Sequence, residues 1–246
     1  MEVHHHSHTA RKKWTHYFWE FLMLFLAVFC GFTAENIREH GVEKHREKQY
    51  IKSLIADLKA DQTSLTSHID TVSYGALMMD SLIYDLNHPA DIISHTGDVY
   101  YYGRLAPRLR PLAISNRTFE QLKNSGNFRL IHDLDISNRI MTYYEKLPVI
   151  RLLESINETE FTEYKKAASR IFDPAILISM EAPDGNIMRR NDNPSLRNLD
   201  ADQLRDLAVF AVYIHGTKKG VLEAANEMKK AGALLISKLQ SAYHLD

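Results

Sequence analysis

The side chains best suited to chemistry by type are histidines, and four of them crowd the start of the chain: His4, His5, His6 and His8. Imidazoles at that density can hold Zn²⁺, Ni²⁺ or Cu²⁺. A tract in a tail lacks the outer hydrogen bonds that orient ligands in a working metal site, so neither a metal nor another cofactor is expected. Other spacings fail as well. His40 and His45 stand five apart, on different helical faces, whereas a His-x-x-x-His zinc site needs one face. The Glu-x-x-His pairs of four-helix di-iron proteins do not occur in the required pairing. There is no glycine-rich phosphate loop, nucleophile elbow or dinucleotide fingerprint. A serine–histidine–aspartate set drawn from so many polar residues would be arbitrary. Catalysis is therefore not expected.

Two constellations point instead to binding. Glu20 lies near the start of an apolar run, and Ala27 and Gly31 follow it at seven and eleven residues, on one helical face. An acid beside small residues suits a partner helix that approaches closely within a membrane. The simpler account is that Glu20 snorkels to the headgroups. The second constellation is Tyr100, Tyr101 and Tyr102 with Arg104, Arg108 and Arg110. Tyrosine with arginine makes a binding surface or lines a pocket. The same rings can equally pin a loop over a core.

These residues need elements to position them. From Phe21 to Ala34 every residue except Thr33 is apolar or glycine. A helix over 17–34 has about 18 residues, within the range that spans a bilayer core. Trp14, Tyr17 and Trp19 form an aromatic edge, with Arg11, Lys12 and Lys13 just outside it. A cleaved signal would require small residues before the cut, and Phe32-Thr33-Ala34 puts a bulky ring there. The segment reads as an uncleaved anchor in the cytoplasmic membrane, preceded by a basic His-containing tail over 1–16. The short tail favours export of the carboxy-terminal domain to the periplasm, although cations from Arg38 to Lys52 argue the reverse by raw count.

Residues 35–49 are polar nearly all round, with Glu35–Arg38 and Glu43–Arg46 at helical spacing, and read as a helical stalk. A helical domain follows over 50–246. Ile51, Leu54, Ile55, Leu58, Leu65, Ile69 and Val72 recur at three- and four-residue steps, continuing through Leu77, Met78, Leu82, Ile83 and Leu86 until His88-Pro89. Residues 88–114, with three prolines, read as irregular. Next, Ser115 or Asn116 caps a short helix, Gly126 ends it in the left-handed region, and Asp133 or Asp135 caps another that Pro148 kinks or restarts. Residues 173–200 read as loop, with Ala182-Pro183-Asp184-Gly185-Asn186 as a turn. Two helices close the chain, over about 201–215 and about 217–243. No strand-period segment competes, and Gly and Pro number only 10 and 7, so the fold expected is all-α: a transmembrane helix, a stalk and an antiparallel bundle. The one cysteine, Cys30, excludes an intrachain disulfide. A net charge of −1 gives no reason to expect nucleic acid as partner.

A resemblance adds to this reading. Glu20 at the head of one span, Glu35-Asn36 with Arg38-Glu39, Arg46 to Ile51 with Ser53-Leu54, and Phe119 to Ile131 together resemble an uncharacterised Bacteroidota family. Its members share a plan of short basic tail, single membrane span and helical domain. The resemblance covers about residues 1 to 150 and implies no activity. The expected function is a non-enzymatic, membrane-anchored scaffold, assembly subunit or partner-binding module of the bacterial envelope. Its expected partners are the lipid bilayer and another membrane or envelope protein, a second copy of the chain included. The alternative is a ligand-sensing bundle without its own output domain.

Overall fold

A computed structural model describes residues 14–245; the His4–His8 tract and the cations Arg11 to Lys13 lie outside them. The described chain is all-α. Its elements are α1 (Trp14–Asn87), α2 (Pro89–Ile92), α3 (Thr96–Leu105), α4 (Arg117–Asn124), a 3-10 turn (Asn127–Leu130), α5 (Leu134–Glu145), α6 (Leu147–Ile171), α7 (Pro174–Ser179) and α8 (Ala201–Tyr243). An isolated bridge between Glu181 and Ile187 closes the Ala182–Asn186 turn. Contacts divide the chain into two compact units, Met1–Tyr50 and Ile51–Asp246.

In the first unit, α1 carries an apolar stretch long enough to cross a membrane, and none of it is buried within the protein. Phe21, Phe25 and Phe29 stack along one face at centroid distances of 6.2 and 6.0 Å. The Thr33 hydroxyl donates to the Phe29 carbonyl at 2.8 Å, so this polar group is satisfied inside the helix. His16 Nε2 stands 3.2 Å from a Glu20 oxygen, giving that carboxylate a partner one turn earlier. Ala27 and Gly31 are exposed, and a Cβ on Gly31 would meet nothing. The polar stretch after Ala34 stays helical through Gly41, and Arg38 bonds Glu35 at 2.9 Å.

The second unit is an antiparallel bundle of three rods. Gln62 of α1 donates to the Lys229 carbonyl of α8, while Asp80 pairs with His215, so the partner number falls as α1 advances. Along α5 and α6, Lys146 pairs with Glu227 and Thr217 bonds Glu160, again antiparallel to α8. The α5–α6 rod breaks at Lys146 and restarts, with Pro148 in the first turn of α6, where its missing N–H costs nothing. Asp133 caps α5 by accepting from the Asp135 and Ile136 amides.

The seam of α1 buries Ile51, Leu54, Ile55, Leu58, Leu65 and Val72, as its spacing predicts. Further along, Met78, Leu82 and Leu86 are buried as expected and Met79 joins them, while Leu77 is 65% exposed, which corrects that one position. Residues 88–114 are not irregular throughout: α2 and α3 occupy much of them, and α3 forms because Val99, Tyr100 and Gly103 make one buried face. Within 173–200, Asp173 caps the short helix α7.

The expected pair of closing helices is one continuous helix, α8. Gly216 costs a helix about 1 kcal/mol relative to alanine. Ile214 and Val221 on either side are fully buried, worth about 2 kcal/mol each, so the helix continues through the glycine. A Cβ on Gly216 would meet no atom, whereas one on Gly232 would come within 2.9 Å of Tyr143 Cε2. Gly216→Ala is therefore expected to stabilise the chain by about 0.5–1 kcal/mol. Gly232→Ala is expected to destabilise it by about 1–3 kcal/mol, because the Tyr143 ring cannot retreat. Thermal unfolding of the two variants in detergent micelles reads these opposite signs.

Candidate functional site

The segment between α3 and α4 runs back along α1, and two buried carboxylates hold it there. Asp57 accepts from the Thr118 amide at 3.1 Å, the Thr118 hydroxyl at 2.6 Å and the Ser115 hydroxyl at 2.9 Å. Asp61 accepts from the Ser115 amide at 2.7 Å and the Tyr143 hydroxyl at 2.9 Å. The start of α4 is thus served by a carboxylate from α1. Asn116 occupies the cap position without a side-chain bond, and Ser115 turns its hydroxyl to Asp57, which corrects the expected local cap. Burial pushes the Asp61 carboxyl up, against the pull of its two hydrogen bonds. Burial and the adjacent Asp61 charge push the Tyr143 hydroxyl up further. Each of these polar groups has its hydrogen-bond partner within the fold.

Beyond this latch an apolar groove of about 650 Å³ opens on the surface. α4 contributes Phe119, the 3-10 turn Phe128, α5 Met141 and Tyr144, and the first turn of α6 Leu147 and Pro148. Phe119 stacks on Tyr144 at 4.2 Å between centroids and meets Phe128 edge-on at 6.1 Å. Gly126, at φ 69°, makes the left-handed turn that carries Phe128 back to Phe119. Glu120, Lys123, Glu145 and Arg151 supply a charged rim. Sequence spacing identifies Phe119 and Phe128 as packing residues, yet leaves the opposite wall unseen, because Met141 and Pro148 become neighbours only when α6 restarts.

A second, more polar groove of about 1060 Å³ lies between α1, α6 and the segment from Leu105 to Pro111. The six tyrosine and arginine candidates divide here. Arg108 and Arg110 line this groove, both exposed and with no ion pair among the described residues. Tyr100 is fully buried, donating to the Ser195 carbonyl and accepting from the Asp173 amide, both at 3.1 Å, so it belongs to the core. Tyr101 and Tyr102 are half-buried, and Arg189 lies 5.8 Å from the Tyr102 ring. Arg104 bonds the Leu177 carbonyl and Glu181, tying α3 to the α7 region.

Sequence spacing alone does not single out the groove's inner wall. Lys218 of α8 is 1% exposed, and its ammonium donates to the Arg108 carbonyl at 2.7 Å. It also faces Gly75, where a Cβ would come within 3.3 Å of Lys218 Nζ. Burial pushes the Lys218 amine down to about 8. Asn157 lines the groove and reaches the Pro107 carbonyl at 3.4 Å, while its buried Oδ1 has no partner. His68 Nε2 is likewise buried without a hydrogen bond, and desolvation pushes that ring's pKa down. Among the described residues no group of three or more His, Cys, Asp or Glu side chains is placed to hold a metal ion. Set against protein-family models, curated proteins and solved structures, the chain matches none of them, so its grooves must be read from their own residues.

Proposed function

We propose that this chain is a non-enzymatic, membrane-anchored helical module that binds another protein of the bacterial envelope and acts by assembly rather than catalysis. The observation that carries this reading is the aromatic groove of Phe119, Phe128 and Tyr144. It is an apolar concavity with a charged rim on the surface of a bundle whose Asp57 and Asp61 carboxylates hold the segment leading into α4. The unburied apolar stretch of α1 supports a single span in the cytoplasmic membrane. Arg11, Lys12 and Lys13 just before that stretch support a periplasmic placement of the domain from Ile51 onward. The resemblance to the Bacteroidota family supports the envelope setting. Glu20, Ala27 and Gly31 offer a second contact, to a partner helix within the bilayer.

The test is crosslinking in intact membranes followed by purification of the full chain. Met141→Glu places a charge in the groove at a partly exposed position and is expected to remove the groove's partner. Glu20→Leu is expected to keep the chain in the membrane and to remove a partner bound through the span. Identical crosslinked species for the wild type and both variants would sink the proposal. A ligand-sensing bundle is the second reading, and the groove lined by Arg108 and Arg110 favours it.

A further inference from the structure

We propose that the groove beside α6 is a binding site for a small carboxylate that also carries a hydrogen-bond donor, an amino acid or a hydroxy acid. This rests on the ligand-sensing reading and is independent of the aromatic groove. Arg108 and Arg110 present two guanidinium groups free of ion pairs at the groove's edge. Guanidinium matches a carboxylate through paired N–H donors. Two further cations line the groove: Lys165 lies over the Phe161 ring at 4.7 Å, and Arg151 is paired at 2.8 Å with Glu154, which also accepts from the Leu112 amide.

The inner wall indicates the rest of the ligand. Asn157 is 2% exposed, lines the groove and has an amide oxygen with no partner. An unmet buried acceptor of this kind costs free energy unless a donor reaches it. Glu158, next along α6, adds an exposed carboxylate to the same lining. Together the two acceptors suit an ammonium or hydroxyl, and the two arginines suit the carboxylate. Lys218, behind Gly75 and the Arg108 carbonyl, adds positive charge at the arginine end. A polyanion is disfavoured by Glu158, and a purely apolar ligand would leave Asn157 unmet. The arginines and the two acceptors line one groove, with Asn157 held at Pro107 beside Arg108, which suits a small molecule carrying its carboxylate and its donor close together.

The experiment uses the full chain in detergent micelles, with the proteinogenic L-amino acids, L-lactate, acetate and inorganic phosphate as probes, each at about 10 mM. At least one amino acid, or lactate, is expected to raise Tm by about 3 °C or more. Arg108→Ala and Arg110→Ala are each expected to weaken that ligand at least about tenfold by calorimetry. Lys219→Ala, an exposed neighbour outside the groove lining, is expected to leave the affinity unchanged. The proposal is overturned if no probe shifts Tm, or if acetate or phosphate gives as large a shift as any amino or hydroxy acid. It is equally overturned if the shift survives in both arginine variants. Met141→Glu, in the aromatic groove, is expected to keep ligand binding, so failure here and failure of the assembly reading are distinguishable.

Discussion

Asp61→Ala is expected to lower the stability of the chain by about 2–5 kcal/mol, a fall in Tm on the order of 10 °C. The substitution removes the only acceptor that the structure gives to two donors, the Ser115 amide and the Tyr143 hydroxyl. Each would be left unmet inside the bundle, and a buried orphan donor costs about 1–3 kcal/mol. Asp61→Asn separates this hydrogen-bond role from charge. Asparagine keeps one oxygen acceptor, and its amide can donate to the tyrosine oxygen, so the loss is expected to be far smaller. The pH dependence has a definite sign. Burial raises the folded-state pKa of Asp61, so the native state holds its proton more tightly than the unfolded chain does. The contribution of Asp61 is therefore fullest below the unfolded carboxyl range and declines as pH rises through the folded value. Asp61→Asn, which has no such titration, is expected to compare more favourably with the wild type at pH 7 than at pH 4. Thermal melts of the three proteins at both pH values check this. Equal melting temperatures for the wild type and Asp61→Ala would show that the latch contributes nothing.

The latch also shows where sequence reading stops. The apolar seam of α1 is visible in its spacing, and Asp61 falls on the same stripe, four residues before Leu65. A carboxylate there signals a distant donor, yet nothing local names Ser115 or Tyr143, which lie 54 and 82 residues away. Helix α4 illustrates the same limit from the other side. Ser115 and Asn116 are both competent caps by residue type, and the tertiary partner Asp57 displaces them. Helix α3 was hidden for a different reason. Consecutive tyrosines and nearby prolines resemble a loop, whereas Val99, Tyr100 and Gly103 acquire a common face only when α6 and the segment after it cover them. The rods themselves were legible because each has a repeating apolar stripe. The expected division of α8 fails because Gly216 is an effective breaker only where no buried stripe continues past it. Of the polar groove, Arg108 and Arg110 are visible by type, while its inner wall requires the register between α1 and α6, and the lysine behind Gly75 requires that between α1 and α8.

Lys218 lies on that register. In sequence it sits four residues after Ile214 and three before Val221, both fully buried, so it occupies a core position of α8. Burial pushes its amine from 10.5 down to about 8. A depressed lysine pKa means that the native state binds fewer protons than the unfolded chain between those two values. Wild-type stability is therefore expected to gain from Lys218 as pH rises from about 8 to about 10.5, by about 3 kcal/mol when the whole interval is crossed. Lys218→Met keeps most of the stem and removes the titration. At pH 7 the variant escapes the cost of a buried charge but leaves the Arg108 carbonyl without its donor, at about 1–3 kcal/mol, so the two effects nearly cancel. At pH 10 the wild-type amine is neutral and still bonded to that carbonyl, and the variant has only the loss. Paired melts are therefore expected to nearly coincide at pH 7 and to separate by about 6–10 °C at pH 10, the wild type being the more stable. A constant difference across that range would place the Lys218 amine at the ordinary lysine value and its ammonium in water. It would also remove the buried positive charge from the wall behind Arg108. The same variant, close to wild type in stability at pH 7, is expected to bind the groove's carboxylate ligand more weakly, because the field at the arginine end falls.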